Sequence, residues 1–216
     1  MLLHLAELLQ VPLRERNAWL VAAGFAPLFG ERRFDDPQLA AARAAVQLVL
    51  QGHEPFPAIA VDRHWNLLLA NAAAQRLLAD IPAELLAPPL NVMRLSLHPQ
   101  GLAPRIVNLG EWRGHLLARL RSQVAASGDP ALLELLRELS ALPPLPGERR
   151  ESASTPCADV VVLFRLALPQ GELALFSTIT VFGTPIDVTL SELALEAFFP
   201  ADAASAALLR ELAGSG

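Results

Sequence analysis

The sequence predicts an α+β fold: a five-stranded antiparallel sheet with flanking helices, preceded by an N-terminal helical segment. Three observations carry that expectation. Short alternating apolar runs, the pattern of half-buried strands, occur at 58–69 and again at 160–199. Longer runs at helical spacing separate the two groups. Strand, helix and strand never alternate in the βαβ rhythm of a parallel sheet, so antiparallel pairing is the expected arrangement.

The first strand pair lies in PFPAIAVDRHWNLLLAN, Pro55 to Asn71. Ile59 and Val61 share one face of the first strand, and Trp65, Leu67 and Leu69 are expected to share one face of the second. Asp62-Arg63-His64 supplies a polar turn, without the Asn-Gly or Asp-Gly pair of the tightest hairpins. Asn71 stands at an N-cap position ahead of Ala74, Leu77, Leu78 and Ile81, which recur at helical spacing.

Upstream, residues 1–23 read as two helices broken at Val11-Pro12, with Leu2, Leu5, Leu8 and Leu9 as the stripe of the first and Leu13, Leu20 and Val21 as that of the second. So short a helical hairpin must lean on other structure. Asp36-Pro37 opens a third helix with Leu39, Val46, Val49 and Leu50 as its stripe and Gly52 as its stop. Downstream, Pro82, Pro88 and Pro89 break up the segment after the Asn71 helix, and Asn91 to Leu97 forms a short helix. Two longer helices follow, Leu109 to Ala126 and one capped by Asp129 and opened by Pro130, with Gly128 between them. Residues 143–158 are a Pro/Ser-rich loop. Strands are then expected at Val160 to Leu168, Glu172 to Phe182 and Glu192 to Phe199, the first two joined by a turn at Pro169-Gln170-Gly171. Asp202 caps a closing helix through Leu208, Leu209 and Leu212.

Composition narrows the function classes. A chain of 216 residues has room for one domain and an appendage, and 53% hydrophobic residues suit a packed core or an apolar cavity. No apolar run reaches the roughly 20 residues of a membrane span. The N-terminus lacks the basic start and cleavage site of a signal peptide, and a lone cysteine, Cys157, excludes an internal disulfide; both fit a cytoplasmic protein. A net charge of −5 argues against strong nucleic-acid binding by these residues alone.

Asn91, Arg94 and His98 fall at i, i+3 and i+7, interleaved with Val92, Met93, Leu95 and Leu97. Polar groups converging amid apolar neighbours suit a pocket for an apolar molecule with an anionic head, with arginine as a permanent bidentate donor. The plain alternative makes Asn91 an N-cap, Arg94 a surface ion pair and His98 a helix terminator. Other polar groups read as structural. Asp62 and His64 bond the local backbone, Cys157 is a spare thiol, Arg113, Arg119 and Arg121 form a solvated helix face, and Glu192 and Glu196 face solvent from the last strand. The five histidines lack metal-ligand spacing, and no nucleophile accompanies an acid or base. No enzyme, cofactor or metal site is expected.

The phrases PLRERNAWLVAAGFAP, PFPAIAVDRHWNLLLAN, LHPQGL and VTLSELALEAFFPAD together resemble the MmyB-like family of bacterial XRE-class regulators. The resemblance implies a helix-turn-helix domain followed by a PAS-like ligand-binding domain with a five-stranded antiparallel sheet and a pocket for a fatty-acid-like molecule. Only one helix precedes PLRERN in this chain. Residues 1–24 are therefore expected to be the C-terminal remnant of a DNA-binding domain, 25–52 a connecting segment and helix, and 53–216 the PAS-like domain. DNA would be met through an upstream reader that is incomplete here. The candidate ligand-binding set is Arg94, His98 and Asn91, with Trp65 and Asn71 from the hairpin. A homodimer is expected, because the N-terminal stripes exceed what a lone hairpin hides and two-fold operators are read by dimers. The rival reading is a dimerisation or protein-interaction module whose pocket is filled by its own side chains.

Overall fold

The computed structural model describes residues 1–145, 148, 162–183, 185 and 187–214. Five strands, β1 Ala58–Val61, β2 Leu67–Ala70, β3 Phe164–Leu168, β4 Gly171–Val181 and β5 Ala194–Pro200, form one sheet in the order β2-β1-β5-β4-β3. Every neighbouring pair is antiparallel, as the absence of βαβ alternation predicts. Strand β5 lies at the centre, so the last strand of the sequence joins the early hairpin to the late one. Gly171, at φ 146°, opens β4 in a backbone region that side chains rarely adopt.

Helices close both faces. On one face, α4 (Ala72–Leu77), α5 (Val92–Leu97), α6 (Leu109–Ser127) and α7 (Pro130–Ala141) contribute to the main core, which includes Met93, Leu97, Leu120, Leu139, Leu166 and Leu175. On the other, Val46 and Leu50 of α3 (Ala40–Gly52) pack with Ala58, Ala60, Leu193 and Leu195. Asn71 caps α4 and Asp129 caps α7, each accepting a backbone N–H, and Gly128 at φ 62° terminates α6 in the left-handed conformation.

Several expectations are corrected. Trp65 is not part of β2; it sits in the turn at φ 69°, with its N–H donated to the Asp62 carbonyl. Ala60 pairs with Leu69 but Val61 pairs with Leu67, so Leu68 is an extra residue bulged out of β2. That bulge sends Leu67 and Leu69 to opposite faces, which strict alternation would not allow. Ahead of β5 the chain forms a short helix, α8 (Val188–Ser191), and Glu192 follows it rather than starting the strand. In α1 (Leu2–Leu8), Leu5 and Leu8 are exposed and Ala6 is buried; Leu9 beyond it and Val21 of α2 (Leu13–Ala22) are exposed too. The loop at 146–147 and 149–158, Cys157 and the start of the Val160 strand lie outside the described residues.

The N-terminal segment is tied by charge to both ends of α8. Arg14 of α2 donates to both carboxylate oxygens of Glu192, at 2.6 and 2.9 Å. Arg32 donates to buried Asp187 at 2.7 Å, and the Val188 N–H donates to the Gly30 carbonyl.

Candidate functional site

A cavity of about 100 Å³ lies between the sheet and the helices of the main core. Ile59, Leu166, Leu175 and Phe198 form its floor from the strands, while Leu77 of α4, Met93 and Leu95 of α5, and Trp112 and Leu116 of α6 wall it. The lining is apolar almost throughout. Its charged exceptions are Arg119 and Glu196.

Those two make a built polar end. The Arg119 side chain is 19% exposed and that of Glu196 7%, with Nη1 and Oε1 3.3 Å apart. The Ser177 hydroxyl donates to the same Oε1 at 2.8 Å. The guanidinium carbon stands 4.1 Å from the centre of the Trp65 ring, a cation–π contact. The Trp65 indole N–H donates to Gln123 at 2.7 Å, which fixes the ring beneath the arginine. Trp112, another wall, donates its indole N–H to Ser96 and stacks on His115 at 5.5 Å.

Burial and the neighbouring Arg119 charge push the His115 imidazole below its ordinary value. The unfolded chain then takes up this proton first as pH falls, so folding stability is expected to decline with acidification below about pH 6.5. His115→Gln should flatten that part of the slope in urea unfolding followed at successive pH values. An unchanged slope would remove His115 as its cause.

Of the residues expected at the site, Trp65 lines the cavity and Asn71, Asn91, Arg94 and His98 do not. Arg94 is exposed and forms a two-pronged ion pair with Glu138 of α7, both contacts 2.6 Å. That bond holds the Glu138 carboxyl below the usual carboxylate range. The reason is helical geometry. α5 turns Val92, Met93, Leu95 and Ser96 to the cavity, which turns the 91/94/98 face away from it. Asn91 caps α5 by accepting the Arg94 N–H at 3.0 Å and donates to the His64 carbonyl at 2.7 Å. His98 ends the helix, with Nδ1 accepting from the Gln100 N–H. Asn71 is buried and spends its side chain on four backbone groups. Among the described residues no cluster of metal-ligating side chains occurs.

Arg119 and Glu196 correct the solvated roles expected for them. Both signals were present in the sequence. Trp112, Leu116, Arg119 and Gln123 fall at i, i+4, i+7 and i+11, hence on one helical face. Glu196 shares a strand face with Phe198, while Leu195 faces α3. Because helices cover both sides of the sheet, a carboxylate on either face needs a cation.

In structure, the chain resembles the RsLOV d2 variant at 14% identity and a TM-score of 0.36, over 76% of this chain and 69% of that one. A second RsLOV variant aligns at 12% identity and a TM-score of 0.38, over 81% and 78% of the two chains. No curated protein matches the chain in sequence. No described helix is long and apolar enough to cross a membrane. The family model for the MmyB-like transcription regulator ligand binding domain matches residues 42–212. That span holds the whole sheet, the cavity and its charged end, and the family is one of regulators and not of enzymes. The chain therefore belongs to the MmyB-like transcription regulator ligand-binding domain family.

Proposed function

We propose that this chain senses a fatty-acid-like molecule in the cavity and dimerises as part of a cytoplasmic DNA-binding transcription regulator. The observation that carries the ligand reading is the apolar cavity ending in Arg119, whose guanidinium is held by Trp65 and Glu196. Arg119 uses one N–H on Glu196 and keeps further donors for a head group, since a guanidinium carries five. An acyl tail in the apolar part would contribute about 0.8 kcal/mol per buried methylene. The head-group role passes from Arg94 to Arg119, because Arg94 is spent on Glu138 outside the cavity.

The volume supports a second reading. A cavity of about 100 Å³ is smaller than the roughly 150 Å³ that admits benzene, and far below a drug-sized site. A long acyl chain must part the walls, and the six-residue α4 with the proline-broken segment after it is the cheapest wall to move. If the walls stay closed, the chain is a dimerisation module with a self-filled core. Exposed Leu5, Leu8, Val21, Phe25, Leu48 and Val49 supply apolar surface for a second copy in either case. DNA contact would come from a helix-turn-helix outside these residues.

Native mass spectrometry of protein purified from cells reads both features together. The expected spectrum is a dimer carrying one added lipid-sized mass per chain, with the adduct reduced about tenfold or more in Arg119→Ala and retained in Arg94→Ala, as the loss of a charged hydrogen bond predicts. A dimer free of adduct in every preparation would favour the self-filled reading.

A further inference from the structure

The charged end of the cavity is a pair, and its second member has a free side. Glu196 is 5% exposed, on a strand at the centre of the sheet. Its Oε1 accepts from both Arg119 and Ser177, whereas Oε2 accepts no hydrogen bond among the described residues. Among the described residues every fully buried side-chain nitrogen or oxygen has a partner, so Oε2 keeps an accessible face, and Glu196 lines the cavity. Arg119, meeting it from α6, has N–H groups to spare. A ligand head entering here therefore meets a donor and an acceptor side by side.

Charge decides which heads fit. Arg119 and Glu196 already neutralise one another, so the subsite carries no net positive charge to draw in an anion. An ionised carboxylate would gain Arg119 but place a like charge against Glu196 in a poorly hydrated site. An uncharged head with a carbonyl and an N–H or O–H satisfies both partners, the carbonyl accepting from Arg119 and the donor reaching Oε2.

We propose that Glu196 is the specificity-determining residue of this cavity, and that it selects acyl-chain ligands with an uncharged, donor-and-acceptor head. Fatty amides and protonated fatty acids belong to that class, and free carboxylates do not. The inference rests on the cavity being a ligand site. It changes what the head must be, from an anion to a neutral group that bonds in both directions.

The test compares decanamide with decanoate at neutral pH, titrated into the delipidated chain and followed by quenching of Trp65 and Trp112, which line the cavity. The wild type is expected to bind decanamide about tenfold or more tightly than decanoate, and Glu196→Gln should bring decanoate level with decanamide or ahead of it. Equal affinities, or a preference for decanoate, in the wild type overturn the proposal and leave the cavity reading standing. A folded Glu196→Gln protein that keeps the full preference for decanamide overturns the role of Glu196. Binding of neither probe overturns the ligand reading itself. Should Glu196→Gln fail to fold, the wild-type ranking alone decides.

Discussion

Asn71→Ala is expected to destabilise the chain by about 3–5 kcal/mol, a large share of the roughly 5–15 kcal/mol that holds a domain together. Asn71 is 4% exposed and fastens three elements with one side chain. Its Oδ1 accepts from the Ala58 N–H at the start of β1 and from the Ala74 N–H in the first turn of α4, both at 3.0 Å. Its Nδ2 donates to the carbonyls of Leu50 in α3 and Phe56, at 3.1 and 2.8 Å. Alanine orphans two buried donors at about 1–3 kcal/mol each and breaks the tie to α3. Asn71→Asp sharpens the test. Aspartate is an excellent helix cap, but here its second oxygen would face two carbonyls without a proton between them. Urea unfolding should therefore show Asp close to Ala in damage. An Asp variant as stable as wild type would mean that capping is all Asn71 does, and that the Leu50 and Phe56 bonds count for little.

Asp187→Ala is the second large effect, expected at about 2–4 kcal/mol from a lost cap and a broken, one-sided buried ion pair. Asp187 is 2% exposed, and its two oxygens accept from the Thr189 N–H and from Arg32. Arg32 is 39% exposed, so when widowed it can turn to water, which keeps the estimate below that of a fully buried pair. For the same reason Arg32→Ala should not be milder than Asp187→Ala by default, since it strands the buried carboxylate instead. The Thr189 hydroxyl and the Val188 N–H also hold the 30–32 backbone. Loss of Asp187 should therefore loosen two places together, α8 and the segment around Gly30, in hydrogen exchange. Protection unchanged around Gly30 would show that this segment is anchored without Asp187.

The local rules were readable wherever one residue does one job. Asn71, Asn91 and Asp129 cap the helices at the positions expected, and Gly128 separates α6 from α7. Five strands and their antiparallel pairing follow from spacing and element order. The site was harder. Arg94 and its neighbours obeyed the helical rule that grouped them, but that rule does not say which side of α5 meets the core. A six-residue helix with apolar side chains nearly all round has no amphipathic stripe to settle the matter.

By itself, the sequence determined the fold class, the strand count, the caps and the family, because each depends on residues near one another in the chain or on long unbroken stretches of sequence. It also singled out Trp65, which lines the cavity, although from the turn and not from a strand. The tertiary structure alone decided which charges are buried. Arg119 and Glu196 are 77 positions apart, and Ser177 lies 19 positions before Glu196. What makes them a site is that β5 inserts at the centre of the sheet, where Glu196 meets Arg119 of α6, with Trp65 brought in by a bulged hairpin. A charge on a strand or helix reads as solvated until the opposite wall is known. The energy that holds Arg119 and Glu196 together is a property of the desolvated space between elements, and that space exists only once the sheet and helices have closed on it.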